Sequence, residues 1–137
     1  MVQRGSHVVA SGKAEVSIDR SPDEVWKLLR EFGSLAEWMP GVETCTVEGD
    51  VRTLGMMGME VKEQLRKLDD DNRTIAYSLI ESPMGNLESH LATIVVTPEG
   101  TGSHVTWNID VTPDELLAIF VPIYEGSVQA IKTKLES

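Results

Sequence analysis

Between residues 42 and 111 the sequence is divided into six short segments, 42–48, 51–56, 59–68, 74–81, 87–97 and 104–111, by turn chemistry. The separators are Gly49-Asp50, the stretch from Gly55 to Gly58, Asp69-Asp70-Asp71-Asn72, Ser82-Pro83-Met84-Gly85-Asn86 and Pro98-Glu99-Gly100-Thr101-Gly102. These residues supply left-handed backbone, a fixed φ or a local side-chain acceptor. None of the separators has the dozen or so residues that a parallel crossover needs, so successive strands are expected as antiparallel neighbours. After Thr112-Pro113 the period changes. Leu116, Phe120, Ile123, Tyr124, Ser127, Val128, Ile131 and Leu135 recur at steps of three and four, which predicts one amphipathic helix of about twenty residues. Pro122 lies inside that pattern and is expected to kink the helix or to mark where its straight portion begins.

Ahead of these strands, Ala14, Val16 and Ile18 alternate with Glu15, Ser17 and Asp19, the period of a half-buried strand. Ser21-Pro22-Asp23-Glu24 then places a capping serine, a proline at the first helical position and a glutamate three residues after the serine, a capping box. Val25, Leu28 and Leu29, with Trp26 or Phe32, form the expected buried face, and Gly33 suits the left-handed residue after the helix. A second short helix over 34–38 stops at Met39-Pro40-Gly41. Residues 1–12 read as a lead-in or strand extension, and 13–137 as one domain, which suits a chain of 137 residues. The expected class is α+β: a curved seven-stranded antiparallel sheet wrapped around a long C-terminal helix, with two short helices after the first strand. Aromatic residues are 5% of the chain, few to fill the hollow of a curved sheet, so a cavity between sheet and helix is expected.

Charge narrows the partners. The formal net charge is −10, from 22 acidic and 12 basic residues, which opposes binding to phosphate backbones and to anionic membrane surfaces. No apolar run approaches the ~20 residues of a membrane span. Residues 1–13 show one arginine but no apolar core of a signal peptide, so the cytoplasm is the expected compartment. The single cysteine, Cys45, excludes an internal disulfide and is expected as an inert buried side chain. No second His or Cys stands at ligand spacing from His90, so no metal site is expected, and none of the phosphate-loop, nucleophile-elbow or dinucleotide motifs is present to imply a cofactor. The Asp69–Asn72 run lacks the glycine and closing glutamate of a calcium loop and reads as a solvated turn.

Several local strings carry a resemblance. The run from Ala14 through Ser21-Pro22-Asp23-Glu24-Val25-Trp26, the string Trp38-Met39-Pro40-Gly41-Val42-Glu43, Glu63-Gln64-Leu65 with Leu68-Asp69, Val105-Thr106-Trp107, and Tyr124-Glu125-Gly126-Ser127 through Leu135 are similar to the START/Bet v1-like (SRPBCC) superfamily, in its bacterial polyketide cyclase/dehydrase branch. The resemblance runs from about Gly12 to Glu136 and implies a helix-grip fold. It implies no single activity, because this superfamily carries transporters, receptors and cyclases on one scaffold.

Strand alternation then assigns faces. Ile75, Tyr77, Leu79 and Glu81 share one side, Val105, Trp107, Ile109 and Val111 another inward set, Val61, Glu63 and Leu65 a third, and Arg52 goes with Leu54. For 87–97 the resemblance places Val96 inside, and with it Glu88, His90, Ala92 and Ile94. The expected lining is Arg52, Glu63, Tyr77, Leu79, Glu81, His90, Ile94, Trp107, Phe120, Tyr124 and Ser127, apolar walls with a few orienting polar groups. A buried carboxylate needs a partner, and Arg52 is the natural one for Glu63; the alternative is a cross-strand pair on a solvated rim. His90 is either a packed, hydrogen-bonded side chain or a general base, for which Glu81, Glu88 or Tyr77 could be the hydrogen-bond partner. Trp26, Trp38 and Trp107 are expected as core or helix anchors, with Trp38 nearest an entrance, and Met56, Met57 and Met59 either form a flexible lip or pack on the long helix.

The expected function is binding or transport of a hydrophobic small molecule, a lipid, fatty-acyl chain or aromatic polyketide-like compound, without covalent chemistry. The alternatives are a cyclase or dehydratase that moves protons with Glu81 and His90, and a protein-interaction module whose pocket is filled by its own side chains.

Overall fold

The computed structural model describes residues 9–83, 85 and 87–137. Strand β1 (Ala10–Ile18) leads into helices α1 (Pro22–Leu29) and α2 (Leu35–Trp38). Strands β2 (Val42–Glu48), β3 (Val51–Met56), β4 (Met59–Asp69), β5 (Thr74–Glu81), β6 (Ser89–Glu99) and β7 (Gly102–Thr112) follow. A short 3-10 turn, Asp114–Leu116, then opens into helix α3 (Leu117–Glu136). All strands are antiparallel in one sheet of order β1-β7-β6-β5-β4-β3-β2, and α3 lies against β1 and β7. This is the helix-grip architecture.

The Ser21 capping box forms: Ser21 Oγ accepts from the Glu24 N–H at 3.2 Å while the Glu24 carboxylate reaches the Ser21 N–H at 3.4 Å. Gly33 is not the residue that ends α1. The helix stops at Leu29 with Arg30 as its cap, and Gly33 sits where a β-carbon would come within 3.0 Å of Val47 Cγ2. Strand β1 reaches back to Ala10, so residues 10–12 belong to the domain and only 1–8 of the expected lead-in lie outside the described residues. Of the two readings open for residues 1–12, the strand extension holds for 10–12, with Gly12 inside the strand. The space a β-carbon would take is filled by Leu117 and Val121 of α3, each 3.0 Å away. The β6–β7 turn is also tighter than expected: Glu99 pairs with Gly102 around Gly100-Thr101, with Gly100 at φ +59°. Of the expected 82–86 turn, Met84 and Asn86 lie outside the described residues. Helix α3 runs through Pro122 without a break in its span.

The main core joins β1, α1, β5, β6, β7 and α3, with Trp107, Tyr77, Ile109 and Ile131 buried. A second cluster of Leu35, Val42 and Leu54, flanked by Trp38, Met39, Cys45, Met56 and Val61, lies under α2 and β2–β4. Cys45 is half-buried there, less enclosed than expected, and burial raises its thiol pKa. Among the described residues no helix is long and apolar enough to cross a membrane, and no three His, Cys, Asp or Glu side chains converge as metal ligands.

Candidate functional site

A cavity of about 210 Å³ opens where the two apolar clusters meet. Its floor and walls are Leu35, Leu54, Val61, Tyr77, Leu79, Phe120 and Tyr124, and Met39, Met56, Met57, Met59, Pro83 and Ile123 line it as well. Met57 is 79% exposed and Met59 47%, so these thioethers form the flexible rim. The rim is held by a two-residue turn, Met57-Gly58, between the paired residues Met56 and Met59, with φ of +52° and +80°.

Counting back from that turn explains the charged group in the wall. The β3–β4 register sets Arg52 opposite Glu63 and Leu54 opposite Val61. Arg52 Nε and Nη2 both donate to Glu63 Oε1, each at 2.7 Å, and Nη1 donates to the Phe32 carbonyl at 2.9 Å. The guanidinium lies over the Phe32 ring at 4.1 Å and the Tyr77 ring at 4.7 Å, which adds cation–π attraction. Both residues are buried, at 3% and 8% exposure. Of the two arrangements open from the sequence, the structure has the buried pair. Burial raises the Glu63 pKa above the ordinary carboxylate value, outweighing the Arg52 charge and its hydrogen bonds.

Strands β5 and β6 pair only from Thr74 with Val95 to Tyr77 with Ala92, and then part. The next inward residue of β6, His90, fills the gap. Its Nδ1 accepts the Leu79 N–H at 3.1 Å, so in the neutral ring the proton sits on Nε2, which donates to the Tyr124 hydroxyl at 2.9 Å. Tyr77 donates to the same hydroxyl at 3.2 Å. Trp107 stacks on the Tyr124 ring, with centroids 4.7 Å apart and planes at 14°. Burial pulls the His90 pKa down to about 4, so the imidazole is neutral near pH 7. Burial pushes both phenols up, with the Glu63 carboxylate adding to the rise in each.

The profile of polyketide cyclase / dehydrase and lipid transport proteins matches residues 9–136. The chain belongs to this family. Its fold is that of an uncharacterised Bacillus thuringiensis protein, 28% identical over 93% of this chain and 100% of that one, with a TM-score of 0.83. The protein XoxI of Bacillus cereus is also 28% identical, over 95% and 99% of the two chains, with a TM-score of 0.81. Norcoclaurine synthase of Thalictrum flavum shares the fold at a TM-score of 0.77, with 20% identity over 96% and 89%.

In this member of the family, five expected residues line the cavity: Glu63, Tyr77, Leu79, Phe120 and Tyr124. Arg52, His90 and Trp107 stand behind them, each touching a lining side chain. Ile94 is in the main core, paired with Trp107 and Ile75. Ser127 is buried, and its hydroxyl is turned back to the Ile123 carbonyl at 2.8 Å within α3. Glu81 and Glu88 are corrections: both are exposed, and they border a separate shallow polar groove. Glu63 pairs with Leu79 and Lys62 with Glu81, so Ile80 is an extra residue in β5, and this bulge turns Glu81 to the Lys62 side. The Glu81–His90 pair is therefore not assembled. The lining residues that alternation alone did not single out are Leu35, Met39, Ser82, Pro83 and Ile123. Met39, inside the family-like string at 38–43, had a signal in that string.

Proposed function

We propose that the protein binds a hydrophobic small molecule in the cavity between β3–β5 and α3, as a carrier or sequestering protein without covalent chemistry. The supporting observation is the state of the polar groups around an apolar cavity. His90 is neutral with both nitrogens engaged, the phenols are held protonated, and Glu63 is tied to Arg52. A general base needs a free lone pair near its working pH: the imidazole has none to spare and both phenols hold their protons, so His90, Tyr77 and Tyr124 are not set up for that role. The methionine rim adapts to ligands of varied shape, which suits carriage. The family description, which names lipid transport beside cyclase and dehydrase activity, accords with this reading.

Native mass spectrometry of purified protein should show a co-purifying apolar adduct. Val61→Trp, which fills the cavity from a half-buried wall position, should abolish the adduct while leaving cooperative unfolding intact. Absence of an adduct, together with unchanged methionine methyl NMR signals on adding n-octanol, would overturn the proposal.

A further inference from the structure

Among the described residues, one acceptor and one donor at the cavity are left unused. Both Arg52 donors converge on Glu63 Oε1, and among the described residues no donor reaches Oε2, although Glu63 lines the cavity. At the other group, Tyr124 Oη accepts from His90 Nε2–H and from the Tyr77 hydroxyl. Three protons, one on the imidazole and one on each phenol, serve two hydrogen bonds, so the Tyr124 proton remains to be donated. Tyr124 also lines the cavity. Among the described residues no lysine, arginine or histidine does: Arg52 lies behind Glu63, covered by two rings.

We infer that the cavity selects an uncharged ligand that carries a hydroxyl group on a compact apolar body, and rejects the matching carboxylate. This rests on the binding function proposed above. A hydroxyl both donates and accepts, so it matches Glu63 Oε2 and the Tyr124 proton. A carboxylate would accept from Tyr124 but bring a second negative charge beside Glu63, with no free cation among the described lining residues to offset it. The volume sets the size. At about 210 Å³ the cavity falls between the ~150 Å³ that encloses benzene and the ~300 Å³ at which drug-sized pockets begin, so it encloses one ring or a short alkyl chain.

The test follows methionine methyl NMR signals of the wild-type protein at pH 7 during titration with para-ethylphenol, ethylbenzene and para-ethylbenzoate. At that pH the first is neutral and the last ionised. para-Ethylphenol should bind more tightly than ethylbenzene, and para-ethylbenzoate at least about tenfold more weakly than para-ethylphenol, the equivalent of one pKa unit. Glu63→Gln removes the like charge and frees Arg52, and should bring para-ethylbenzoate level with para-ethylphenol; if that variant does not fold, the wild-type series still decides. para-Ethylbenzoate binding as tightly as para-ethylphenol, or no preference for para-ethylphenol over ethylbenzene, overturns the selectivity alone. Binding of none of the three overturns the selectivity and the binding function together.

Discussion

Arg52 donates twice to one oxygen of Glu63, at 2.7 Å each, between adjacent strands and largely shielded from bulk water. A pair in this position is costly to build and more costly to break. Each ion has lost most of its hydration, and its partner supplies the largest part of the compensation. The aromatic rings of Phe32 and Tyr77 against the guanidinium, and the Phe32 carbonyl on Nη1, make up part of what water supplied.

Arg52→Ala should therefore destabilise the fold by about 3–5 kcal/mol, because it strands a buried carboxylate. Replacing both partners, Arg52→Met with Glu63→Leu, should restore stability to within about 1 kcal/mol of wild type or exceed it. Urea unfolding measures both. A single-variant cost below about 1 kcal/mol would mean the pair is solvated after all.

Acid should weaken the protein through His90. Its pKa is lowered from 6.5 to about 4, so between those values the unfolded chain binds more protons than the folded one. Stability is then fully present above pH 6.5 and is lost as pH falls toward 4, by about 3 kcal/mol in all. Glu63 works in the opposite sense, since its raised pKa favours the folded state as it protonates. The comparison that isolates His90 is wild type against His90→Gln, which retains Glu63. The variant should lose the additional acid sensitivity, and identical pH profiles would refute the assignment.

The Tyr124 hydroxyl serves as acceptor for two groups, so removing it does more harm than removing either donor. Tyr124→Phe keeps the stack on Trp107 but leaves His90 Nε2–H buried without an acceptor, at about 1–3 kcal/mol. Tyr77→Phe removes only a donor and should cost about 0.5–1.5 kcal/mol. Thermal or urea unfolding should rank them in that order.

Met57 occupies a left-handed position at φ +52° in the turn that carries the rim. Asparagine tolerates this backbone far better than methionine, and Asn-Gly is the favoured pair in such a two-residue turn. Met57→Asn should stabilise the protein by about 1 kcal/mol in urea unfolding. The same change should lower affinity for para-ethylphenol, because the rim loses a thioether. A gain in both would separate Met57 from ligand binding.

Much of this protein was present in local sequence. Alternation in 74–81 and 104–111, the Ser21 capping box and the three-and-four spacing from Leu116 to Leu135 follow from backbone geometry within a few residues, which is why seven strands and three helices were readable. The Arg52–Glu63 pair was readable as the partner a buried carboxylate needs, while its register across the Met57-Gly58 turn and its burial came from the structure. Tertiary structure alone decided the rest. The bulge at Ile80 sends Glu81 outward, the parting of β5 and β6 gives His90 the Leu79 N–H, and the convergence of α2, the Met57-Gly58 turn and α3 brings Met39 and Ile123 to one cavity. Those outcomes depend on how a curved sheet fits a helix many residues away. No periodicity within a single segment carries that information, because burial and hydrogen-bond partnership belong to the packed whole.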